Sequence, residues 1–356
     1  MEKGRVEGGL PTHGAAVLPS VTVDSYNVEI EDDDGFIGDK ANQRAFRRML
    51  EEARELARKD GTDPLGDEKS EKVSKKKLES FLAKGNPEAA AVVQTAIESF
   101  ANQLAAVIKR LLRQKAWRDT KCIVFGGGFR AGRVGELSIA RTEILLKAAG
   151  IDVDIALLHN HPDEAGLIGA AHLLPAWIVS GHDAIVAVDV GGTNIRTGIV
   201  ELGKKADLSD SSVRDMELWR HGDEESLKRD DAVDELCKML QDLIKTAGKK
   251  KLRLAPVIGI GCPGVIREDG GIERGAQNLP GNWESSRFNL PKEIQSMIPK
   301  IGEHETMVVM HNDAVVQGLS ELPHMSKYEH WAVLTIGTGL GNARFSMRDK
   351  ETSSRA

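Results

Sequence analysis

Apolar residues along this chain follow two patterns, short continuous runs and longer stretches with helical spacing. Helical spacing predicts helices over residues 41–59, 87–114, 136–148, 164–178, 231–246 and 313–321. Continuous runs predict strands over 122–125, 151–157, 184–188, 195–200, 256–261, 306–310 and 331–336, with alternation over 21–30. Because predicted strands and helices alternate, the pattern indicates an α/β fold, with loops over 60–77 and 262–289.

The length of 356 residues is enough for two domains, and the hydrophobic content of 40% is ordinary for a globular protein. The net charge of −6 argues against nucleic acid as the main partner. Three cysteines, distant in sequence and without zinc-ligand spacing, favour a reducing cytoplasm. We expect no membrane association, because no apolar run reaches the length of a bilayer span and the first ten residues lack the apolar core of a signal peptide.

A glycine pair stands between two predicted strands, in Asp189-Val190-Gly191-Gly192-Thr193-Asn194-Ile195-Arg196. Glycine lets backbone N–H groups approach phosphate oxygens with no Cβ in the way. An acidic residue at the end of the first strand can hold Mg²⁺ through water. The alternative is an ordinary β-hairpin, for which a Gly-Gly turn is equally typical.

A second glycine-rich turn, Gly337-Thr338-Gly339-Leu340-Gly341, also follows an apolar strand directly. One such turn is a weak signal. Two, each placed after a buried strand, favour phosphate binding at both.

The carboxylate of Asp313 lies between the predicted strand 306–310 and the predicted helix that follows, in His311-Asn312-Asp313-Ala314. Asp313 could act there as general base on a hydroxyl whose orientation Asn312 fixes. The alternative is that Asn312 or Asp313 is only the N-cap of the helix.

Two turn-rich segments separate these motifs, Cys262-Pro263-Gly264-Val265 and Asn278-Leu279-Pro280-Gly281-Asn282-Trp283. On their own they predict nothing beyond loops.

Taken in this order and at these intervals, the four motifs over about 184–345 resemble the ROK family of sugar kinases and sugar-responsive regulators. The resemblance implies a two-lobed actin-like ATPase (ribonuclease H-like) fold, ATP and Mg²⁺ as cofactors, and a small-molecule sugar as substrate. It assigns the catalytic base to Asp313 and the cation to Asp189, through water. The phosphate-binding positions are Gly191, Gly192, Thr193, Arg196, Gly337, Thr338 and Gly339. The sugar-binding positions are Asn312, Asn278, Gly281, Pro263 and Gly264.

The first half of the chain resembles the family's second lobe. The residues that carry this resemblance are Gly85-Asn86-Pro87 with its long helix, Gly126-Gly127-Gly128 after a strand, and 163–171 as the closing helix. The Gly126–Gly128 turn would contact the nucleotide. The lobes would then be 1–180 and 181–356 in circularly permuted order, building one active site, with Gly127 and Gly339 facing each other across a cleft. A fragment of two tandem copies would give the same order.

The chain departs from the family after the second glycine turn. The family often carries a GExGH element and a cysteine-rich zinc site, and cysteines at zinc spacing are absent here, so we expect no structural zinc. The candidate for the GExGH element is Gly9-Leu10-Pro11-Thr12-His13, in which His13 could bind a sugar hydroxyl or be solvated, and Glu7 could substitute for the glutamate.

The expected activity is ATP-dependent phosphorylation of a hexose hydroxyl, with glucose as the first choice. A non-catalytic sugar sensor or regulator of the same family is one alternative, and polyphosphate as the donor is another. The sequence leaves the oligomeric state open, a homodimer included.

Overall fold

The computed structural model describes residues 11–58, 62–84 and 86–348. Its strands are β1 Val21–Tyr26, β2 Glu31–Asp32, β3 Gly35–Phe36, β4 Cys122–Gly126, β5 Asp154–Leu157, β6 Ala184–Val190, β7 Ile195–Glu201, β8 Ser212–Trp219, β9 Leu254–Cys262, β10 Lys300–Ile301, β11 His304–Glu305, β12 Met307–Asn312, β13 His330–Ile336 and β14 Leu340–Met347. Its α-helices are α1 Gln43–Ala57, α2 Lys75–Lys84, α3 Pro87–Leu112, α4 Arg133–Ala148, α5 Ala165–Ala171, α6 Ala176–Val179, α7 Arg229–Lys249, α8 Leu290–Met297 and α9 Asp313–Leu319. These elements confirm the predicted α/β class.

The chain divides into two compact units. The first unit contains the described residues up to Asn27, then Leu158–His330 and the residues from Ala343 onward. The second contains Val28–Leu157 and Trp331–Asn342. This division differs from the expected boundary at residue 180, because residues 158–180 belong with the sheet that follows them in sequence.

The first unit is built on a five-stranded sheet with the order β12-β9-β6-β7-β8 among the described residues. β12, β9 and β6 run parallel, while β7 and β8 are antiparallel to their neighbours. One face packs on α7, whose Leu236 and Leu240 join Val186 and Ile258 in a buried cluster. Because side chains alternate across a strand, the glycines of β7 and β9 face the other way, toward α5 and α9.

Helices α5 and α9 pack unusually closely on each other in the first unit. A Cβ placed on Gly169 of α5 would lie 1.7 Å from the backbone oxygen of Val316 in α9. A Cβ on Gly259 of β9 would lie 2.9 Å from Cβ of Ala170. The glycines and alanines of 164–174 therefore serve close packing. The sequence analysis assigned this helix to the lobe 1–180, whereas the structure packs it on the sheet of the first unit.

The second unit contains three parallel strands, with β4 paired to β13 on one side and to β5 on the other. Its core lies among α1, α3 and α4, where Phe46, Phe100 and Phe129 pack with ring centroids 4.7 to 5.9 Å apart. Helix α3 begins as predicted, with Asn86 accepting a hydrogen bond from the Ala89 N–H and Pro87 in the first turn.

By length and composition α3 could cross a membrane, since an 18-residue window has a mean hydropathy of 1.2, although the sequence predicted no such run. That window is 56% buried inside the protein, and the helix packs on α1 and α4. Its apolar residues are therefore accounted for by the core.

The loop between α1 and α2 is ordered around one buried arginine. Arg54 is 1% exposed and donates to Asp63, to Ser70 and to the carbonyl oxygens of Gly66 and Glu68. A buried guanidinium needs such a full set of acceptors. Over its described residues 62–74 the predicted loop 60–77 is correct, and α2 begins at Lys75.

Strands β1 and β14 form an antiparallel ribbon in the first unit, with Val21 opposite Met347. The Arg348 N–H donates to the carbonyl oxygen of Ser20 at 3.0 Å, and the Arg348 side chain reaches the carbonyl oxygen of Leu18. The backbone at residues 20 and 348 is therefore adjacent.

Candidate active site

Asp189 lies near the end of β6, at the start of the hairpin that carries the first glycine pair. Its side chain is 2% exposed. Burial raises the pKa of this carboxyl group, while the positive charge of Arg196 acts in the opposite direction. Helix α5 approaches closely, since a Cβ on Gly166 would lie 2.6 Å from Cγ of Asp189.

Arg196 bridges two carboxylates. Its Nη1 lies 3.3 Å from Oδ2 of Asp189, and its Nε and Nη2 lie 2.9 and 2.6 Å from Oδ1 of Asp163. The resemblance placed Arg196 among the phosphate-binding residues, and the structure places its guanidinium between these two carboxylates.

The hairpin between β6 and β7 is held by a residue that the sequence analysis did not single out. His221 is 3% exposed, and its Nε2 lies 2.8 Å from the carbonyl oxygen of Gly191. The next N–H, from Gly222, donates to the carbonyl oxygen of Thr193. His221 thus fixes the turn from outside, and no motif in the sequence signalled it.

Asn312 is the N-cap of α9, as the structural alternative predicted. Its Oδ1 accepts from the N–H groups of Ala314 and Val315 at 3.0 and 3.3 Å. Its Nδ2 donates to the carbonyl oxygen of Gly264 at 3.0 Å, so this one amide ties the Pro-Gly turn to the start of the helix.

Because Asn312 provides the cap, Asp313 is not needed for it. Asp313 is half-buried, and burial together with the negative charge of Asp189 raises its pKa to about 7. Cys262, buried at the end of β9, has its thiol pKa raised by burial and by the charges of Asp313 and Asp189. The ends of β6, β9 and β12 thus gather two carboxylic acids within one electrostatic neighbourhood.

The turn after β9 is stabilised by close backbone contacts. Gly264 has φ +101°, and a Cβ there would lie 2.5 Å from the carbonyl oxygen of Arg274, so glycine is required. Pro263 beside it is half-buried.

The predicted sugar loop is anchored by apolar residues and leaves its polar ones outside. Leu279 and Trp283 are 5% and 1% exposed, and the Trp283 Nε1 donates to the carbonyl oxygen of Pro280. Asn278 and Gly281 are exposed. The side chain of Asn278 is thus available to a ligand.

His13 lies alongside β12, so it is not simply a solvated terminal residue. Its Nδ1 accepts from the Met310 N–H at 3.1 Å, and burial lowers its pKa. The neighbouring Gly14 N–H donates to the carbonyl oxygen of the same Met310. Glu7 lies outside the described residues.

The glycine turns Gly126–Gly128 and Gly337–Gly339 lie side by side in the second unit, at the carboxyl ends of the parallel strands β4 and β13. Gly126 is paired with Thr335, and a Cβ on Gly127 would lie 2.6 Å from the carbonyl oxygen of Ile336. Gly337–Gly339 therefore neighbours Gly126–Gly128 on one sheet edge. The expectation that Gly127 and Gly339 face each other from separate lobes was wrong.

The turn Gly337–Gly339 has an open surface. The Gly337 N–H closes the turn on the carbonyl oxygen of Gly339, and the Gln43 N–H donates to the carbonyl oxygen of Gly337. A Cβ on Gly339 would meet nothing within 4 Å. This turn offers bare backbone to a ligand, as phosphate binding requires.

A pocket opens beside these turns in the second unit. Its lining comes from α1, α2 and the segment after β4, and includes Gln43, Phe46, Arg47, Lys75, Leu78, Glu79, Phe129, Ala131, Gly132, Val134 and Gly135. Lys75 at its rim donates to the carbonyl oxygen of Gly128. Its floor is apolar, and the charged side chains in its lining are Arg47, Lys75 and Glu79.

Comparison with known proteins supports the family resemblance. Over 159 residues the chain is 28% identical to a glucokinase from Thermotoga maritima, a match that covers 44% of this chain and 43% of that protein. The chain is similar to sugar kinases. The resemblance to ROK-like sugar kinases that the motifs predicted is thereby confirmed. No family model matches the chain.

Two solved structures of the same kind overlap with part of the chain. One is a candidate sugar kinase from Cytophaga hutchinsonii, 19% identical, covering 45% of this chain and 47% of that one, with a TM-score of 0.34. The other is a candidate N-acetylmannosamine kinase from Listeria monocytogenes, 23% identical, with 46% and 47% covered and a TM-score of 0.34. Overlap at this score does not define the fold. The chain spans less than half the length of each of these relatives.

Proposed function

We propose that this chain is an ATP-dependent sugar kinase in which Asp313 is the general base. The observation that carries the proposal is the environment of Asp313, a half-buried carboxyl at the end of β12 whose pKa is raised to about 7. A base that titrates near the working pH is ionised often enough to act, and it still binds a proton strongly.

The proposed reaction assigns one task to each group of the first unit. A sugar bound at the loop 278–283 would present a hydroxyl to Asp313, which would take its proton as the hydroxyl oxygen attacks the terminal phosphorus of ATP. The bond from that phosphorus to the bridging oxygen would break, and ADP would leave. Asn312 holds the turn at Gly264 in place. Since its own amide is already used for capping and for that turn, we assign it a positioning role.

Each unit has groups that suit a phosphate donor, Asp189 and the turn at Gly191 in the first and the turn at Gly339 in the second. The open backbone at Gly339 would accept phosphate oxygens, and the pocket from Phe46 to Phe129 would take the base. Mg²⁺ would neutralise charge on the transferred phosphate. Among the described residues no three acidic, histidine or cysteine side chains converge as metal ligands, so a cation near Asp189 would need water and phosphate oxygens as well.

An assay that measures formation of sugar phosphate tests the proposal, because this product forms with either phosphate donor. ATP and inorganic polyphosphate would each be offered with a panel of sugars that includes glucose, other hexoses and N-acetylmannosamine. We expect sugar-dependent turnover with ATP and with glucose among the best substrates. Sugar binding by calorimetry without turnover on any donor would instead indicate the non-catalytic sensor.

The permuted order of the lobes is part of the proposal. In the family's order the residues after β14 would lead on to the segment around His13 and then to β1. The antiparallel pairing of β14 with β1, with residues 20 and 348 adjacent, fits this order. This pairing supports the permuted order of the lobes.

A further inference from the structure

The turn between β6 and β7 uses its hydrogen bonds differently from an ordinary β-turn. A four-residue β-turn is commonly closed by a hydrogen bond from the fourth N–H to the first carbonyl oxygen. Here the Gly191 N–H donates to the carbonyl oxygen of Asn194 at 2.8 Å, but the carbonyl oxygen of Gly191 lies 2.8 Å from Nε2 of His221 instead. Because a carbonyl oxygen can only accept, Nε2 of His221 carries the hydrogen in this contact.

The residue after His221 holds the other side of the same turn. The Gly222 N–H donates to the carbonyl oxygen of Thr193 at 3.0 Å. The two segments are in close contact, since a Cβ on Gly222 would lie 3.1 Å from Cα of Thr193. His221 itself is 3% exposed, so its hydrogen bond is shielded from water. Residues 221 and 222 therefore take two carbonyl oxygens of the turn.

These two contacts determine where two N–H groups of the turn point. In a trans peptide the C=O and the N–H point in opposite directions, and no cis peptide bond occurs among the described residues. Since the carbonyl oxygens of Gly191 and Thr193 face residues 221 and 222, the N–H groups of Gly192 and Asn194 point away from them. Neither N–H has an acceptor within hydrogen-bond distance in the part of the chain that the structure describes, and both residues are half-buried. Backbone N–H groups left open in a turn are donors for anions such as phosphate.

We propose that His221 is a positioning residue for phosphate binding, which takes the carbonyl oxygen of Gly191 so that the Asn194 N–H stays open to a phosphate oxygen. The inference rests on the proposed kinase function, which places a phosphate donor at this turn. Without the imidazole, the carbonyl oxygen of Gly191 would accept from the Asn194 N–H and close an ordinary β-turn, because an unpaired carbonyl group raises the free energy. The turn would then lose one donor for the ligand.

The first test is the affinity of the full chain for a non-hydrolysable ATP analogue with Mg²⁺, measured by calorimetry. His221→Phe keeps an aromatic ring in the buried position and removes the donor. We expect its affinity to fall about 10-fold, in line with the loss of a hydrogen bond to a charged group. His221→Gln carries an N–H donor near the position of Nε2 and should retain most of the affinity. Glucose affinity should be unchanged in both variants.

The second test is amide hydrogen exchange at Asn194, followed by NMR. In the wild type this amide should exchange fast without ligand and slowly once the ATP analogue is bound. In His221→Phe it should already exchange slowly without ligand, because the carbonyl oxygen of Gly191 then accepts from it. A purely structural role for His221 would lower the stability of the fold without this change of partner.

His172→Phe is the matched control, because His172 is also a buried histidine of the first unit, 8% exposed, and its Nε2 has no hydrogen-bond partner among the described residues. It follows α5 and is influenced by the charge of Asp207, which lies beyond the end of β7 that is far from the turn. This variant should bind the ATP analogue as the wild type does.

Wild-type affinity for the analogue in a folded His221→Phe variant would overturn the inference. So would a wild-type Asn194 amide that exchanges slowly without ligand, or one that still exchanges fast with the analogue bound. Thermal unfolding of each variant checks folding, and His221→Asn, whose shorter side chain has no donor at the position of Nε2, replaces His221→Phe if that variant does not fold. A wild type that binds the analogue but forms no sugar phosphate refutes the kinase and leaves the inference standing, because neither test requires turnover.

Discussion

Among single residues, Asp313 and Asn312 show how adjacent positions divide two tasks. Asn312 takes both the helix cap and the contact to Gly264, which leaves the Asp313 carboxyl without a capping role at a half-buried position. Sequence reasoning named both residues but could not decide which one was the cap. That choice depends on backbone angles at the strand end, which the residue types alone do not determine.

The raised pKa of Asp313 predicts the pH dependence of turnover. Burial and the charge of Asp189 favour the neutral acid, which cannot accept a proton, so kcat/KM should rise with pH and level off above about 7. A profile measured between about pH 5 and pH 9 checks this. A flat profile down to the ordinary range of an aspartate would contradict the assignment.

Gly339 allows a test of phosphate binding that leaves the fold intact. Because a Cβ there meets nothing within 4 Å, Gly339→Ala should unfold at the wild-type temperature yet bind ATP more weakly, with sugar binding unchanged. Calorimetry on each ligand separately measures this. Gly248→Ala, in α7, is the matched control because its Cβ also meets nothing, and ATP affinity equal in both variants would refute the phosphate role of the turn.

At the scale of elements, buried strands were predictable, and the largely exposed strand β8 was not. β6, β9, β12 and β13 are almost entirely buried, so their apolar runs stand out in the sequence. The sequence analysis did not predict β8, because its residues are alternately exposed and half-exposed and form no apolar run.

The missed strand β14 has a different cause. It buries polar residues that find distant partners, Asn342 on the backbone of Val28 and Arg344 on Asp24. Such pairings, more than 300 residues apart in sequence, leave no local signal. At the candidate site, the contacts of Asp163 with Arg196 and of His221 with Gly191 also leave no local signal in the sequence.

The contact of α5 with α9 predicts a strong effect of one methyl group. Gly169→Ala would place a carbon 1.7 Å from the backbone oxygen of Val316, so the helices must move apart. We expect a loss of about 1–3 kcal/mol in the free energy of unfolding, as for other overpacked cores. Urea unfolding measures it against Gly248→Ala, and an unchanged midpoint would mean that the helices are not in contact as described.

At the scale of the whole molecule, the order of the motifs predicted a permuted sugar kinase, but not how the chain is divided. The glycine turn at Gly337 was assigned with Asp189 because both lie in the second half. The structure groups it with Gly126–Gly128, since β13 pairs with β4. Which strands pair across the chain is decided by tertiary contacts, which a linear series of motifs does not contain.

Relinking the chain tests the permutation. A variant that starts at Asp183, joins residue 356 to residue 1 through a flexible glycine linker and ends at Ser180 restores the family's order of lobes and keeps the segment around His13. Because residues 20 and 348 are already adjacent and Gly181 is exposed, it should fold and keep the ligand affinities of the parent chain. A relinked chain that lacks the cooperative unfolding of the parent would contradict the proposed order.

The most direct measurement of the central claim is phosphorus NMR of ATP, Mg²⁺ and glucose incubated with the wild type and with Asp313→Asn. The wild type should form sugar phosphate and ADP in equal amounts. Asp313→Asn should lower that rate by at least about 100-fold, the low end for a general base, while glucose still binds in calorimetry. Asp242→Asn, on the exposed face of α7, should behave as the wild type. Near-normal transfer by a folded Asp313→Asn variant, or ADP formation by the wild type without any sugar phosphate, would contradict the account.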